Sequence, residues 1–166
     1  LAGAVVGFFQ GLKQKKYRRL YEEFLVEGVR LCEELLQSQY EICEIFIAVT
    51  YGKSPREEKL LAAITEKKIP LLELKPEIIQ RFCSTETPPP IIARAKTKFH
   101  TLSSEFLQGR RFLVLESISD PGNVGTLVRT AEAFGWDGAI LTGQSIEIYN
   151  PKVLRSAMGA AFHFPI

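Results

Sequence analysis

Paired cysteines are missing from this sequence. Its three cysteines, Cys32, Cys43 and Cys83, lie far apart and form no C-x-x-C pair. An odd, widely spaced set argues against a bridged secreted scaffold and against a zinc site. Such thiols are expected as buried or half-buried side chains in a reducing cytoplasm. Histidine is scarcer still: His100 and His163 are the only two, and neither has a metal-like partner in the sequence. No metal is therefore expected. Long apolar runs are absent too. The apolar start, Leu1 to Phe9, is far too short to span a bilayer, so no membrane partner is expected. No basic segment precedes it and no cleavage-like site separates it from Lys13, so it reads as part of a first helix rather than a signal peptide. Excess charge of one sign is also small. With a net charge of +2, any argument for a nucleic-acid partner must come from how the charge is distributed.

What is present is ordinary for a globular protein: 166 residues, 46% of them hydrophobic and 24% charged. That length suits one ample domain or two small ones. The first residue is Leu rather than Met, so residues ahead of it are expected.

Two parts are visible. Thr87-Pro88-Pro89-Pro90 must be extended, because each proline fixes its own backbone and restrains its predecessor. A mildly basic stretch with Arg94, Lys96, Lys98, Arg110 and Arg111 follows. The expected division is a first domain over 1–95, a linker over 96–108 and a second unit over 109–166. In the first part, a strand at Phe24-Leu25-Val26 runs into a helix from Gly28 to about Ser38, and Ile42 to Val49 reads as a buried strand. Ser54-Pro55-Arg56-Glu57 predicts a helix start, with a capping serine, proline at the first position and glutamate three residues after the cap. A strand over Ile69 to Leu74 and a helix from Pro76 through Phe82 complete a small α/β layer domain. The second part predicts a strand at Phe112 to Leu115, a helix from about Asn123 to Phe134 and a strand at Ala139 to Leu141, which together make a parallel βαβ unit. A helix capped by Asn150 and a third strand over Phe162 to Ile166 are expected after it.

The most informative stretch runs from Asp120 to Gly135. Val124, Leu127, Val128, Ala131 and Phe134 fall on one helical face that packs on the sheet. Gly125, Arg129 and Glu132 fall on another. A helical side chain leans towards the N-terminus, so Arg129 lies over Gly125, and the glycine leaves the guanidinium free to reach the first turn. Unpaired N–H groups there, with Asn123, favour an anion. On the residues alone a plainer reading stands beside this one: Asn123 caps the helix, and Arg129 pairs with Glu132 on a solvated face. A dinucleotide loop finds no support, because the G-x-G-x-x-G spacing is absent.

Near the N-terminus, Lys13, Lys15, Lys16, Arg18 and Arg19 put five cations into seven residues, with Tyr17 among them. Such a cluster holds phosphates, and a tyrosine stacks on an unpaired base. The alternative is a solvated helix face balanced by Glu22 and Glu23. Arg94, Lys96 and Lys98 add a second basic strip.

The segment Asp120-Pro-Gly-Asn-Val-Gly-Thr-Leu-Val-Arg-Thr-Ala-Glu-Ala-Phe-Gly closely resembles the first signature motif of the SpoU/TrmH class of knotted methyltransferases. Asn123 matches that motif's asparagine and Arg129 its arginine. Asn150 to Pro165 resembles the stretch that follows in the family, and Lys15 to Arg18, Phe24 to Gly28 and Arg30 resemble the RNA-substrate-binding domain fused ahead of it. The resemblance implies an α/β fold, with a small N-terminal RNA-binding domain and the first half of a parallel-sheet, trefoil-knotted (SPOUT) methyltransferase domain. It implies transfer of a methyl group from S-adenosylmethionine to a ribose 2′-hydroxyl of RNA, ribosomal RNA by preference, by a homodimer joined through the methyltransferase domain. Asn123 and Arg129 would be the catalytic pair, with Lys13, Lys15, Lys16, Arg18, Arg19 and Arg30 on the RNA. Trp136 is expected in packing or in the dimer contact. Ser156-Ala157 stands where the family often has its small residues in the opposite order, which puts a role for that serine in doubt. The later motifs that hold the cofactor are expected beyond Ile166, so the chain reads as C-terminally truncated and inactive by itself. A non-catalytic RNA-binding protein is the alternative.

Overall fold

The computed structural model describes residues 2–85, 87–100, 103–108 and 110–166. The chain divides into two units, one through Thr97 and one from Lys98.

The first unit runs α1 (Ala2–Gly11), α2 (Lys15–Tyr21), β1 (Glu23–Glu27), α3 (Val29–Gln37), β2 (Ile42–Ala48), α4 (Pro55–Glu66), β3 (Leu71–Leu74), α5 (Pro76–Phe82) and β4 (Ile91–Lys96). Local chemistry sets several of these elements directly. At the start of α4, Ser54 Oγ accepts from Glu57 N, while a Glu57 carboxylate oxygen accepts from Ser54 N at 3.1 Å. This is the reciprocal capping that the sequence predicts. α1 is the expected first helix. Its Phe9, with Leu12 just after the helix, is buried against Phe46, Ile79, Phe82 and Ile92, the Phe9 and Phe82 rings lying 4.6 Å apart. Among the described residues, no helix is long and apolar enough to cross a membrane. Cys32 and Cys83 are buried and Cys43 is half-buried, and none of the three is in a disulfide. Burial pushes the Cys32 thiol up to about 12.

The sheet order is β1-β4-β2-β3, antiparallel at β1–β4 and β4–β2 and parallel at β2–β3. β4 corrects the sequence reading, which gives Ile91 to Ala95 no strand and starts the linker at Lys96. It is an inner strand, with Ile91, Ile92, Ala93 and Ala95 fully buried. Its charges are paired rather than offered to solvent. The Arg94 guanidinium donates to Glu23 at 2.5 Å and to Glu44 at 2.8 Å, and Lys96 Nζ donates to Glu23 at 2.6 Å. The expected second basic strip therefore loses Arg94 and Lys96 to ion pairs within the sheet.

Burial works to raise the Glu23 carboxyl, but hydrogen bonds from Lys96 and Arg94, helped by their charges, hold it below the usual carboxylate range. A carboxylate depressed in the folded state stabilises above its unfolded pKa, and that stability is lost as pH falls through the folded value. Denaturant midpoints are thus expected to fall for the native protein below about pH 4. Glu23→Gln should start less stable at pH 7 and lose less on acidification.

The second unit contains α6 (Ser104–Leu107), β5 (Phe112–Glu116), α7 (Pro121–Ala133), β6 (Gly138–Thr142), α8 (Pro151–Ala157) and a 3₁₀ turn at Ala160–Phe162. β5 and β6 pair in parallel, from Phe112 opposite Gly138 to Glu116 opposite Thr142, with α7 between them in the chain. The βαβ unit is the one expected. The third strand is not formed over Phe162 to Ile166. The chain turns at Gly159 and gives β6 a single ladder-like bond there, from Ala139 N to the Pro165 carbonyl at 2.9 Å. Pro165 has no N–H with which to extend that pairing.

Candidate active site

α7 starts two residues earlier than expected, and its cap is Asp120. The Asp120 side chain accepts from Asn123 N at 2.7 Å, and Pro121 occupies the first turn. Asn123 is therefore not the cap. Its side chain is exposed on the first turn and has no hydrogen bond among the described residues. The loop ahead of the helix is held by Ser145, a buried hydroxyl that the sequence reading does not single out. It accepts from Ile118 N at 3.1 Å and donates to Thr142 O at 2.8 Å or to Leu115 O at 3.0 Å.

Gly125 has a different task from the one expected. It is buried beneath α8: a Cβ added there would lie 1.8 Å from Ser156 Oγ and 2.7 Å from both Ala157 N and Val153 O. The glycine lets two helix backbones meet, rather than clearing a path for Arg129. Ser156, whose role the sequence leaves in doubt, hydrogen-bonds Pro121 O at 3.1 Å and so fastens α8 to the first turn of α7. Asn150 caps α8 as expected, its side chain accepting from Lys152 N at 2.9 Å.

Arg129 is exposed, and among the described residues no ion pair or hydrogen bond engages it. The plainer reading, a surface pair with Glu132, is not formed. Six residues separate Asn123 from Arg129, which on an α-helix is roughly 9 Å along the axis and about 120° around it. The two side chains are thus not in contact. They flank one solvent-facing strip of α7, the helix that follows the carboxyl end of β5 and packs against α8. A permanently charged guanidinium on one margin and an amide on the other suit a phosphodiester and its ribose lying along the strip.

In the first unit, α2 exposes Lys15, Lys16 and Arg19, with Arg30 exposed near the start of α3. Arg18 must be withdrawn from the RNA-facing set. It is only 3% exposed, and its Nη1 donates to Leu12 O at 2.8 Å, tying α2 to the end of α1. Lys13 is half-buried and donates to Arg81 O at 2.9 Å. Glu23, one of the two expected counter-charges, points into the sheet, so it does not balance the exposed cations. Replacing Lys15, Lys16 and Arg19 with alanine is expected to flatten the salt dependence of RNA binding by roughly one log–log unit per lost phosphate contact. Arg18→Ala should leave that slope alone and lower the melting temperature instead. An unchanged slope in the triple variant would return the run to a merely solvated face.

Comparison with known proteins matches two families along the chain. Residues 6–93 match the family described as MRM3-like substrate binding domain, and residues 110–166 match the SpoU rRNA Methylase family. The chain is 33% identical over 155 residues to the 23S rRNA (guanosine(2553)-2′-O)-methyltransferase RlmP of Bacillus subtilis (strain 168), over 93% of this chain and 58% of that protein. It is 30% identical over 161 residues to the mitochondrial rRNA methyltransferase 3 of Homo sapiens, over 93% of this chain and 37% of that protein. The AdoMet-bound rRNA methyltransferase from Sinorhizobium meliloti aligns with a TM-score of 0.80 at 25% identity, over 98% of this chain and 60% of that one. The chain thus spans a little over half the length of its bacterial relatives.

Proposed function

This chain belongs to the SpoU rRNA methylase family and carries an MRM3-like substrate binding domain ahead of the methylase segment, and from that premise we propose that the whole protein methylates ribosomal RNA on a ribose 2′-hydroxyl. The observation that carries this reading is α7, where Asn123 and Arg129 stand exposed on a helix clamped by Gly125 and Ser156. The first unit holds the RNA, and the second contributes the front of the methyltransferase domain.

A ribose hydroxyl is a poor nucleophile until its proton is removed or its oxygen polarised. Arginine stays protonated in proteins, so Arg129 acts by holding the adjoining phosphate with its planar fork and by orienting the ribose, not as a base. Asn123 offers a donor and an acceptor to the same stretch of backbone.

S-adenosylmethionine is the proposed methyl donor, and when bound it supplies an electrophilic methyl group on a sulfonium. Two cavities of the second unit, of about 360 and 230 Å³, are lined by Leu113, Leu127, Phe112, Ile140 and other mainly apolar side chains, with His100 their one titratable group. They do not suit the donor's carboxylate or ribose hydroxyls. These two cavities therefore do not fit the cofactor, its site is assigned to the further length found in the relatives, and these 166 residues alone are expected to be inactive. Leu127, Phe134 and Trp136 stay exposed beside the larger cavity, and this apolar face supports a homodimer joined through the methyltransferase domain. The unbridged thiols favour a reducing, cytoplasmic setting.

A non-catalytic RNA binder is not favoured, because the relatives named above are methyltransferases. The test is transfer of labelled methyl from S-adenosylmethionine to ribosomal RNA by the whole protein. RNA binding without any transfer would favour the binder.

A further inference from the structure

A cavity of about 390 Å³ opens between α1 and α2, lined in part by Gly7, Phe8, Gln10, Gln14, Tyr17 and Tyr21. Its aromatic wall is built by local packing. The Tyr17 and Tyr21 rings lie four residues apart on α2 and nearly parallel, at 11° with centroids 6.3 Å apart. Phe8 meets the Tyr21 ring edge-on at 4.8 Å, and Tyr21 remains 41% exposed. Gln10 and Gln14 bring amides whose side chains make no hydrogen bond among the described residues, each with donors and an acceptor to offer.

Gly7 is the unexpected member. Glycine is a poor helix former, yet it occupies an exposed position inside α1. Among the described residues nothing requires it there, since a Cβ on Gly7 would find no atom within 4 Å. What the missing side chain preserves is the open space of the cavity. Of the exposed α2 cations, Lys16 borders that space, its Nζ 5.8 Å from the centre of the Tyr17 ring, while Lys15 and Arg19 lie on the far side of the helix from Tyr17 and Tyr21.

We propose that this cavity receives one unpaired nucleobase of the RNA substrate, stacked on the Tyr21 ring, with the Gln10 and Gln14 amides at its edge and Lys16 on a flanking phosphate. A flat π surface beside free amides and bordered by positive charge is the chemistry that selects a splayed-out base over a paired one. The inference rests on the RNA-binding reading above and adds to it a site and a preference for single strands.

The test fills the cavity without disturbing its walls. Gly7→Leu places a side chain in open space and improves the helix propensity of α1, so melting should be unchanged or higher. The probes are a single-stranded RNA oligonucleotide carrying 2-aminopurine and a fully paired duplex of the same length. The native protein is expected to quench the 2-aminopurine on binding. Gly7→Leu should lose the quench and bind the single strand on the order of 10- to 100-fold more weakly, with an unchanged salt slope and unchanged duplex affinity. Tyr21→Ala, which removes the stacking ring, should lose the quench as well. If Gly7→Leu binds and quenches like the native protein, the cavity proposal is overturned while the salt-dependent RNA reading stands. If the native protein shows no salt-dependent affinity for either RNA, both fall together.

Discussion

Arg129→Ala is expected to reduce methyl transfer by the whole protein on the order of a thousandfold or more while leaving its fold intact. The guanidinium is exposed and unengaged, so its removal should cost only about half a kcal/mol of stability. Arg129→Lys should fail nearly as badly. A lysine point charge does not reproduce a planar fork that grips a phosphate and fixes the ribose beside it. Binding of S-adenosylmethionine should persist in both variants, because the cofactor site is assigned elsewhere. Labelled-methyl transfer gives the activity and thermal melting the folding control. Near-normal turnover in Arg129→Ala would leave the guanidinium as surface decoration, and the catalytic assignment would be withdrawn.

Gly125→Ala should fail for a different reason. In isolation, glycine to alanine inside a helix is favourable by about 1 kcal/mol. Here the new methyl meets Ser156 Oγ at 1.8 Å and two α8 backbone atoms at 2.7 Å. Ser156 can rotate, but the Ala157 N and Val153 O cannot yield without moving α8. The overpacking cost is expected near the top of its usual range, roughly 3 kcal/mol, which exceeds the helix gain. That predicts a drop in melting temperature of the second unit of about 10 °C. Adding Ser156→Ala to Gly125→Ala should recover only part of the loss, since both backbone contacts remain. Full recovery would mean that the helices are not as close as the geometry requires.

How much of this was legible in the sequence depended on the range of the interaction. The capping of α4 by Ser54 and Glu57, and of α8 by Asn150, is local chemistry, and the residues announce it. The β5-α7-β6 unit is nearly as local, because hydrophobic alternation and the helical stripe set it. The sequence reading starts α7 two residues late because an asparagine in the first turn looks like a cap, whereas Asp120 followed by Pro121 is the stronger signal. β4 was hidden for a longer-range reason. Arg94 and Lys96 read as basic linker until Glu23, more than seventy residues away, is brought beside them. Arg18 shows the same limit. Within a run of cations nothing marks it as the one that turns inward, because its acceptor is a backbone carbonyl at the end of another helix. The smallness of Gly125 is visible in the sequence but its reason is not, since the α8 backbone it accommodates arrives some thirty residues later.

The site of the transferred methyl group tests the central claim most directly. Ribosomal RNA incubated with the whole protein and labelled S-adenosylmethionine would be digested to nucleosides and separated. The account predicts that the label is found in a 2′-O-methylated nucleoside, with the adjoining phosphodiester bond resistant to alkali. Label on a base, or no incorporation under conditions where the RNA is bound, would contradict it.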